Sequence, residues 1–334
     1  MTRVAVIGGG AWGTALACVA RRAGNDTILW ARNEAVVAAI KAGNGNPLYL
    51  KDVPVEQGIT ATSNITEACT LADIVLLVVP SQFIRQVTTQ MAPAIQDDTP
   101  TILCAKGIER HSGALMSEVL SETIPRAMIA ILSGPTFARE VARDLPTAVT
   151  LACPYADSNA RLAAALGGAR FRPYLSDDVI GVEIGGAVKN ILAIACGIVT
   201  GRELGDNARA ALITRGLAEI GRLSQAKGGR PETLMGLAGI GDLTLTCNAM
   251  QSRNFSLGTA LGEGKQLKDI LASRNAVTEG IYSAASVVML AKRLGIEMPI
   301  CSAVNRIVNH GASIDHMIAN LLSRPFAHEQ VIVD

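Results

Sequence analysis

The segment that decides the fold reads Val4-Ala5-Val6-Ile7-Gly8-Gly9-Gly10-Ala11-Trp12-Gly13-Thr14-Ala15-Leu16-Ala17. It contains the spacing G-x-G-x-x-G at Gly8, Gly10 and Gly13, between an apolar run and an alanine-rich stretch. A buried strand, a glycine turn and a helix form the context that makes this spacing informative. We expect Gly8 to make the tight turn, Gly10 to admit a phosphate, and Gly13 to let helix and strand pack closely. The segment therefore predicts a strand–turn–helix that binds the pyrophosphate of a dinucleotide.

The pattern of the whole chain predicts an α/β protein with two domains. Apolar runs alternate with helix-like segments in the first half, which is typical of a mostly parallel, doubly wound sheet. After residue 176 the strand signal fades and long helix candidates follow. We predict an N-terminal Rossmann-type domain over residues 1–176 and an all-α domain over residues 177–334. The strand candidates are 4–7, 27–31, 74–79, 101–105, 128–132 and 147–152, and the later helix candidates are 178–200, 207–227, 280–294 and 299–310.

Charge and hydropathy narrow the class of partner. The 334 residues carry a formal net charge of +1, so no basic excess exists to neutralise a nucleic-acid backbone. The mean hydropathy of +0.31 raises the question of a membrane span. The most apolar region, 181–201, contains Glu183 and Lys189, and its uninterrupted run, 191–199, is shorter than the ~20 residues that a spanning helix needs. We predict a buried helix and no membrane span.

The cysteines and histidines show no metal-site spacing. No C-x-x-C or H-E-x-x-H pattern occurs, and the N-terminus shows no signal-peptide pattern. We therefore expect reduced core thiols in a cytoplasmic protein, and no metal. The seven cysteines are Cys18, Cys69, Cys104, Cys153, Cys196, Cys247 and Cys301.

Lys189 is the candidate for acid–base chemistry. Hydride transfer to a carbonyl carbon leaves negative charge on the oxygen, which a protonated lysine can meet. Glu183 and Lys189 are the only charged residues between 179 and 199, and a spacing of six does not put them on one helix face. Gly185 and Gly186 precede Lys189 by one turn, so we expect an open patch beside the ammonium. The alternative is a lysine that reaches from a buried helix to water.

Other polar residues each have two interpretations. Arg32 stands where NAD-selective sites often carry an acid, so it favours the 2′-phosphate of NADPH, alongside NADH, or is a solvated loop residue. Lys106 follows a strand and either faces a ligand or lies in a surface loop. Asp242 either keeps Lys189 charged or caps a helix. The remaining two segments are 133–138, a ligand-binding or plain turn, and 252–254, a phosphate-binding trio or a solvated helix start.

Six motifs in order resemble the bacterial-type NAD(P)-dependent glycerol-3-phosphate dehydrogenase family, nearly end to end. They are Gly8 to Ala15, Ala105-Lys106-Gly107, Ser133 to Ala138, Ala187-Val188-Lys189-Asn190, Gly241-Asp242-Leu243 and Ser252-Arg253-Asn254, and Thr278-Glu279-Gly280 looks like the family's last cofactor contact. Two positions depart mildly from the family: Ala11 stands where Ser is frequent, and Thr136 where Ser is also common.

The resemblance implies an activity and a set of site residues. The reaction would be reversible reduction of dihydroxyacetone phosphate to sn-glycerol 3-phosphate with NADPH or NADH, supplying glycerophospholipid synthesis. Lys189 would be the proton donor and acceptor. The implied substrate contacts are Lys106, Gly134, Thr136, Lys189, Asp242, Ser252, Arg253 and Asn254. The implied cofactor contacts are Gly8, Gly10, Ala11, Trp12, Gly13, Arg32, Lys106, Ala138, Arg253, Val277 and Glu279.

Two other functions stay open at this point. A related dehydrogenase of the same plan would act on a hydroxy acid or a sugar acid phosphate, although the chain shows no distinctive anchor for a carboxylate. A non-catalytic cofactor sensor would need the glycine turn but no lysine in an apolar helix. The apolar second half is also compatible with a homodimer.

Overall fold

The computed structural model describes residues 1–273 and 278–325, which separate into two units. The first unit contains Met1–Ala105 and Leu115–Val179, and the second contains Lys106–Ala114 and the chain from Ile180 onward. The sequence predicted a single domain over 1–176, and the excursion at 106–114 is a difference from that prediction. Its physical reason is that Lys106 forms an ion pair with Asp242, and the Ser112 carbonyl accepts a hydrogen bond from Arg293, both of which belong to the second unit.

The first unit is built on one eight-stranded sheet, with the strand order β3-β2-β1-β4-β5-β6-β7-β8. Every neighbouring pair is parallel except β6 and β7, which are antiparallel. The order reverses between β1 and β4, as in doubly wound sheets, and the predicted fold class is confirmed. The strands are β1 (Arg3–Ile7), β2 (Asp26–Trp30), β3 (Thr60–Thr62), β4 (Ile74–Leu77), β5 (Pro100–Leu103), β6 (Met128–Ser133), β7 (Thr147–Ala152) and β8 (Phe171–Ser176).

Helices cover this sheet, so the central strands are apolar on both faces. Val4, Val6 and Ile7 of β1 are completely buried. The same holds for Val75, Leu76 and Leu77 of β4. Burial on two faces removes the polar alternation of a half-exposed strand. The helices are α1 (Ala11–Arg22), α2 (Glu34–Lys41), α3 (Ile65–Cys69), α4 (Ile84–Met91), α5 (Met116–Thr123), α6 (Ala138–Ala142) and α7 (Ala156–Leu166).

The sequence missed the two edge strands of the sheet. β3 has only three residues, two of them threonine, and β8 contains Pro173 with Tyr174 and Leu175 largely exposed. Edge strands are often short, polar or interrupted by proline, because one side has no neighbour. The predicted boundary near residue 176 is therefore the end of an eighth strand, just before the first unit ends.

All regular elements in the described part of the second unit are helical. They are α8 (Val179–Gly201), α9 (Gly205–Ala226), α10 (Asp242–Asn248), α11 (Arg253–Gly262), α12 (Leu267–Ala272), α13 (Glu279–Leu294), α14 (Pro299–His310) and α15 (Ile314–Leu322), with a 3₁₀ turn at Pro231–Met235 and a π-helical turn at Leu237–Gly241.

Helix α8 forms the centre of the second unit. It is long and apolar enough to cross a membrane. Its most apolar stretch of 18 residues has a mean hydropathy of 1.7, but 89% of that stretch is buried inside the protein. The sequence argument from the short run 191–199 was wrong on length, because the helix has 23 residues. Its burial supports the prediction of a core helix.

All seven cysteines are buried free thiols, as predicted.

Candidate active site

The glycine turn of the first unit has the predicted strand–turn–helix geometry. Gly8 has a φ of +134°, which L side chains rarely adopt, and it donates its N–H to the Trp30 carbonyl of β2 at 3.0 Å. At Gly13, a Cβ would lie 1.8 Å from the Gly8 carbonyl oxygen. Both glycines are therefore required by the backbone itself, one by its conformation and the other by close approach.

The same turn leaves room for a phosphate group. A Cβ at Gly10 would meet nothing within 4 Å, and Gly10 precedes α1 without a side-chain cap for the helix. The first turn of a helix carries unpaired N–H groups and partial positive charge, which bind anions. The indole nitrogen of Trp12 is also buried without a hydrogen-bond partner among the described residues. These features fit the pyrophosphate and ribose of NAD(P).

Arg32 lies just after β2, two residues before α2. Its guanidinium is stacked 5.9 Å from the ring centroid of Phe83, and both side chains are exposed. A cation over an aromatic face is held by the ring quadrupole while its N–H groups stay free to bind an anion. The nearest following acid, Glu34, lies in the first turn of α2. The arrangement fits a 2′-phosphate contact.

The turn after β6 carries Gly134 and Thr136. Gly134 has a φ of +147°, and a Cβ there would lie 3.0 Å from the Val149 Cα of β7. The Thr136 hydroxyl donates to the Gly134 carbonyl at 3.2 Å, and Ala138 is the first residue of α6. Gly134 therefore packs closely against β7, the antiparallel neighbour of β6. The two predicted contacts lie on one turn, directly after β6.

The second unit brings two lysines to one buried carboxylate. Asp242 is completely buried; its Oδ2 accepts from Lys106 Nζ at 2.7 Å, and its Oδ1 accepts a short hydrogen bond from Lys189 Nζ. Lys189 also donates to the Thr246 hydroxyl at 3.0 Å. The Lys189 side chain is only 8% exposed, so it is largely shielded from water and does not extend into it. We call Lys106, Lys189, Asp242 and Thr246 the lysine cluster.

Burial affects the protonation of Lys189. Loss of hydration lowers the pKa of the Lys189 ammonium to about 8, and the charge of Lys106 acts in the same direction. Asp242 opposes that shift by stabilising the charged form. A lysine with a pKa near neutral pH can donate and accept a proton in turn. The side chain of Asp242 therefore serves the lysines, whereas Gly241 precedes α10 at the N-cap position.

The prediction of an open patch beside Gly185 is wrong. A Cβ at Gly185 would lie 2.6 Å from the Ala238 carbonyl oxygen, so the missing side chain is filled by backbone of the π-helical turn. That turn ends at Gly241, directly before Asp242. Close packing of this turn on α8 is what carries the Asp242 carboxylate to Lys189, and π-helical turns are frequent at functional sites.

The trio at 252–254 divides into three environments. The Ser252 hydroxyl accepts from the Phe255 N–H at 3.2 Å and caps α11, while Arg253 is exposed. Asn254 is buried, where it donates to Asn190 Oδ1 and accepts from the Gly280 N–H, both at 3.0 Å. The trio therefore begins a helix, but only Arg253 is solvated, and Asn254 ties α11 to the residue after Lys189.

The remaining predicted residues are placed only in part. Glu279 begins α13 and is half-buried, whereas Val277 lies outside the described residues. The sequence missed Thr246 and Asn190, both of which contact predicted site residues. Thr246 follows Asp242 by four positions on α10, so helical spacing from Asp242 is the signal that would have found it. Asn190 is the direct neighbour of Lys189.

The chain matches models of one enzyme family along most of its length. The model for the NAD-dependent glycerol-3-phosphate dehydrogenase N-terminus matches residues 3–159, and that for the C-terminus matches residues 178–319. Among curated proteins, glycerol-3-phosphate dehydrogenase [NAD(P)+] of Parvibaculum lavamentivorans is 54% identical over 98% of both chains. That of Rhodospirillum rubrum is 55% identical over 98% of this chain and 93% of the other.

A solved structure agrees with the sequence relatives. The crystal structure of glycerol-3-phosphate dehydrogenase from Coxiella burnetii aligns with a TM-score of 0.93 at 42% identity, over 97% of this chain and 99% of that one. The two family models together match most of both structural units. This chain therefore belongs to the NAD-dependent glycerol-3-phosphate dehydrogenase family.

Proposed function

We propose that this chain catalyses the reversible reduction of dihydroxyacetone phosphate to sn-glycerol 3-phosphate with NADPH or NADH. The observation that carries the proposal is the lysine cluster. Two ammonium groups face one buried carboxylate, so the three side chains carry a net charge of +1 in a site with little water. A buried excess of positive charge favours an anionic ligand and an oxygen that gains negative charge during reaction.

The chemistry follows from the protonation of Lys189. Bound NAD(P)H supplies the hydride that reduces carbon 2 of the substrate. The Lys189 ammonium donates a proton to the carbonyl oxygen as negative charge develops on it, which yields the hydroxyl of the product. The resulting amine recovers its proton from solvent before the next cycle. In the reverse direction, neutral Lys189 takes the hydroxyl proton, and a pKa of about 8 allows both roles near neutral pH.

The family resemblance supports the remaining assignments. Arg253 is exposed at the start of α11, where its guanidinium can hold a phosphate by paired charge-assisted bonds. We assign Lys106 and Asp242 to substrate positioning, because both are anchored in the lysine cluster. Gly134, Thr136, Ser252 and Asn254 stay proposed substrate contacts.

The lysine cluster favours an enzyme over a cofactor sensor. A cofactor sensor has no use for a buried lysine with a lowered pKa beside a second lysine. A substrate test separates the proposed function from that of a hydroxy-acid dehydrogenase. We expect turnover with dihydroxyacetone phosphate and none with 2-oxo acids, measured as absorbance loss of NADPH and NADH.

The Lys189→Met variant tests the catalytic role. It keeps the length of the apolar stem and removes the proton, so we expect kcat to fall by about 10³-fold, within the range for general acid–base groups. Lys292→Met removes an exposed lysine of the same unit and serves as the matched control. Retained activity in Lys189→Met would refute the mechanism, and a preference of the wild type for hydroxy acids would refute the substrate.

Two further assignments follow from the family, and a third follows from the apolar second half of the chain. We propose that the enzyme works in the cytoplasm and supplies glycerol 3-phosphate for glycerophospholipid synthesis. We also propose a homodimer, which analytical ultracentrifugation would test. A monomer at micromolar concentration would contradict it.

A further inference from the structure

We propose that Asn46 is a positioning residue for cofactor binding, because it holds the glycine turn in its phosphate-binding shape. Asn46 lies in the connection between α2 and β3, far from the turn in sequence, and is only 1% exposed. Its Nδ2 donates to the Gly9 carbonyl at 3.0 Å and to the Thr14 hydroxyl at 2.8 Å. The inference rests on the proposed use of NAD(P)H.

The contact with Gly9 acts on the direction of an N–H group. The peptide bond between Gly9 and Gly10 is trans, so its C=O and N–H point in opposite directions. Holding the Gly9 carbonyl toward Asn46 therefore turns the Gly10 N–H away from Asn46. Gly10 is the residue beside which the structure leaves open space.

The contact with Thr14 acts on the helix. Thr14 belongs to the first turn of α1 and is completely buried. One amide group thus joins the glycine turn to the first turn of the helix, and both supply N–H groups for a pyrophosphate. Glycine-rich turns have many accessible backbone conformations, so an external anchor reduces the ordering that binding requires.

Asn46 is itself held in one orientation. Its Oδ1 accepts the Tyr49 N–H at 3.2 Å, and its main-chain carbonyl accepts the Leu50 N–H at 2.9 Å. The donor and acceptor ends of the amide are both used, which fixes which end faces Gly9.

The chain offers a matched control at the other end of the same helix. Asn25 is 5% exposed, and its Nδ2 donates to two carbonyl oxygens, those of Ala20 and Ala165, at 2.8 Å each. Asn25 and Asn46 are alike in residue type, burial and number of donated bonds. Of these two asparagines, Asn46 is the one that contacts the glycine turn.

The test compares Asn46→Ala with Asn25→Ala by NADPH fluorescence titration of the full chain. We expect Asn46→Ala to raise the Kd for NADPH by about tenfold, with a matching rise in the KM for NADPH and little change in kcat. Asn25→Ala should stay within about twofold in Kd, although both variants lower the melting temperature.

A second pair of variants covers the case in which Asn46→Ala does not fold. Thr14→Val removes one acceptor and should raise the Kd for NADPH about threefold, whereas Thr14→Ser keeps the hydroxyl and should restore the wild-type Kd. An unchanged Kd in folded Asn46→Ala, or equal weakening by the Asn25 and Asn46 variants, would overturn the inference alone. A wild-type chain that binds neither NADPH nor NADH would overturn the proposed function as well.

Discussion

The glycine turn and the lysine cluster, which we propose bind cofactor and substrate, are built in opposite ways. The turn presents backbone groups of residues 8–14, and its glycines are needed because they carry no side chain. The cluster uses side chains from positions 106, 189, 242 and 246, which the fold brings to one buried carboxylate. A site made of backbone is sensitive to added atoms, whereas a site made of paired charges is sensitive to removed ones. The four predictions below test that difference.

Removing the shared carboxylate should have the largest effect. In Asp242→Asn the two ammonium groups lose their common partner, so their repulsion displaces them and favours neutral Lys189. We expect kcat to fall by about 10²-fold and the free energy of unfolding to fall by about 3 kcal/mol. Kinetics with dihydroxyacetone phosphate and chemical denaturation measure both. Asp269→Asn, at an exposed acid of the same unit, should change neither, and equal effects in both variants would contradict the role of Asp242.

Adding one methyl group should damage the turn in two distinguishable ways. In Gly13→Ala the Cβ meets the Gly8 carbonyl at 1.8 Å, so the turn itself must shift and the melting temperature should drop. In Gly10→Ala the methyl enters open space and the backbone is in an extended conformation, so stability should stay close to wild type. Its Kd for NADPH should still rise by about 30-fold, because the methyl fills the path of the phosphate. Wild-type affinity in Gly10→Ala would show that the phosphate binds elsewhere.

Arg32 should have a smaller effect, which is confined to one cofactor. Arg32→Ala removes the cation stacked on Phe83, and we expect kcat/KM for NADPH to fall by about tenfold with that for NADH unchanged. Steady-state kinetics with both cofactors measure the ratio. The lysine cluster should be unaffected, so kcat stays constant. An unchanged preference would show that Arg32 is a solvated loop residue.

The same contrast explains how much could be predicted from the sequence. The glycine turn is a local pattern, so Gly8, Gly10 and Gly13 were placed correctly, together with the parallel sheet. The strands β3 and β8 were missed because edge strands lose the apolar run that marks buried ones. Local patterns thus predict the strands that are buried on both faces and miss those at the edges of the sheet.

The lysine cluster depended on information that no local pattern carries. The pairing of Lys106 and Lys189 with Asp242 joins positions up to 136 residues apart. Sequence spacing left the role of Asp242 open and gave Gly185 the wrong explanation, since the Ala238 carbonyl packs against it. Asn46 was not singled out at all, because an asparagine in a loop is ordinary until its two acceptors are seen. Local chemistry made Lys189, Lys106 and Asp242 candidates, the family resemblance implied their roles, and Thr246 was missed.

The pH dependence of kcat/KM for dihydroxyacetone phosphate tests the central claim most directly. The reduction needs the protonated form of Lys189, whose pKa burial lowers to about 8, so the rate should be constant below that pH and fall above it. Oxidation of glycerol 3-phosphate needs the neutral amine and should show the opposite slope. Asp242→Asn removes the charge that raises this pKa, so the inflection should move to lower pH. If both directions change in the same sense with pH, or if the inflection is unmoved in Asp242→Asn, Lys189 is not the group that transfers the proton.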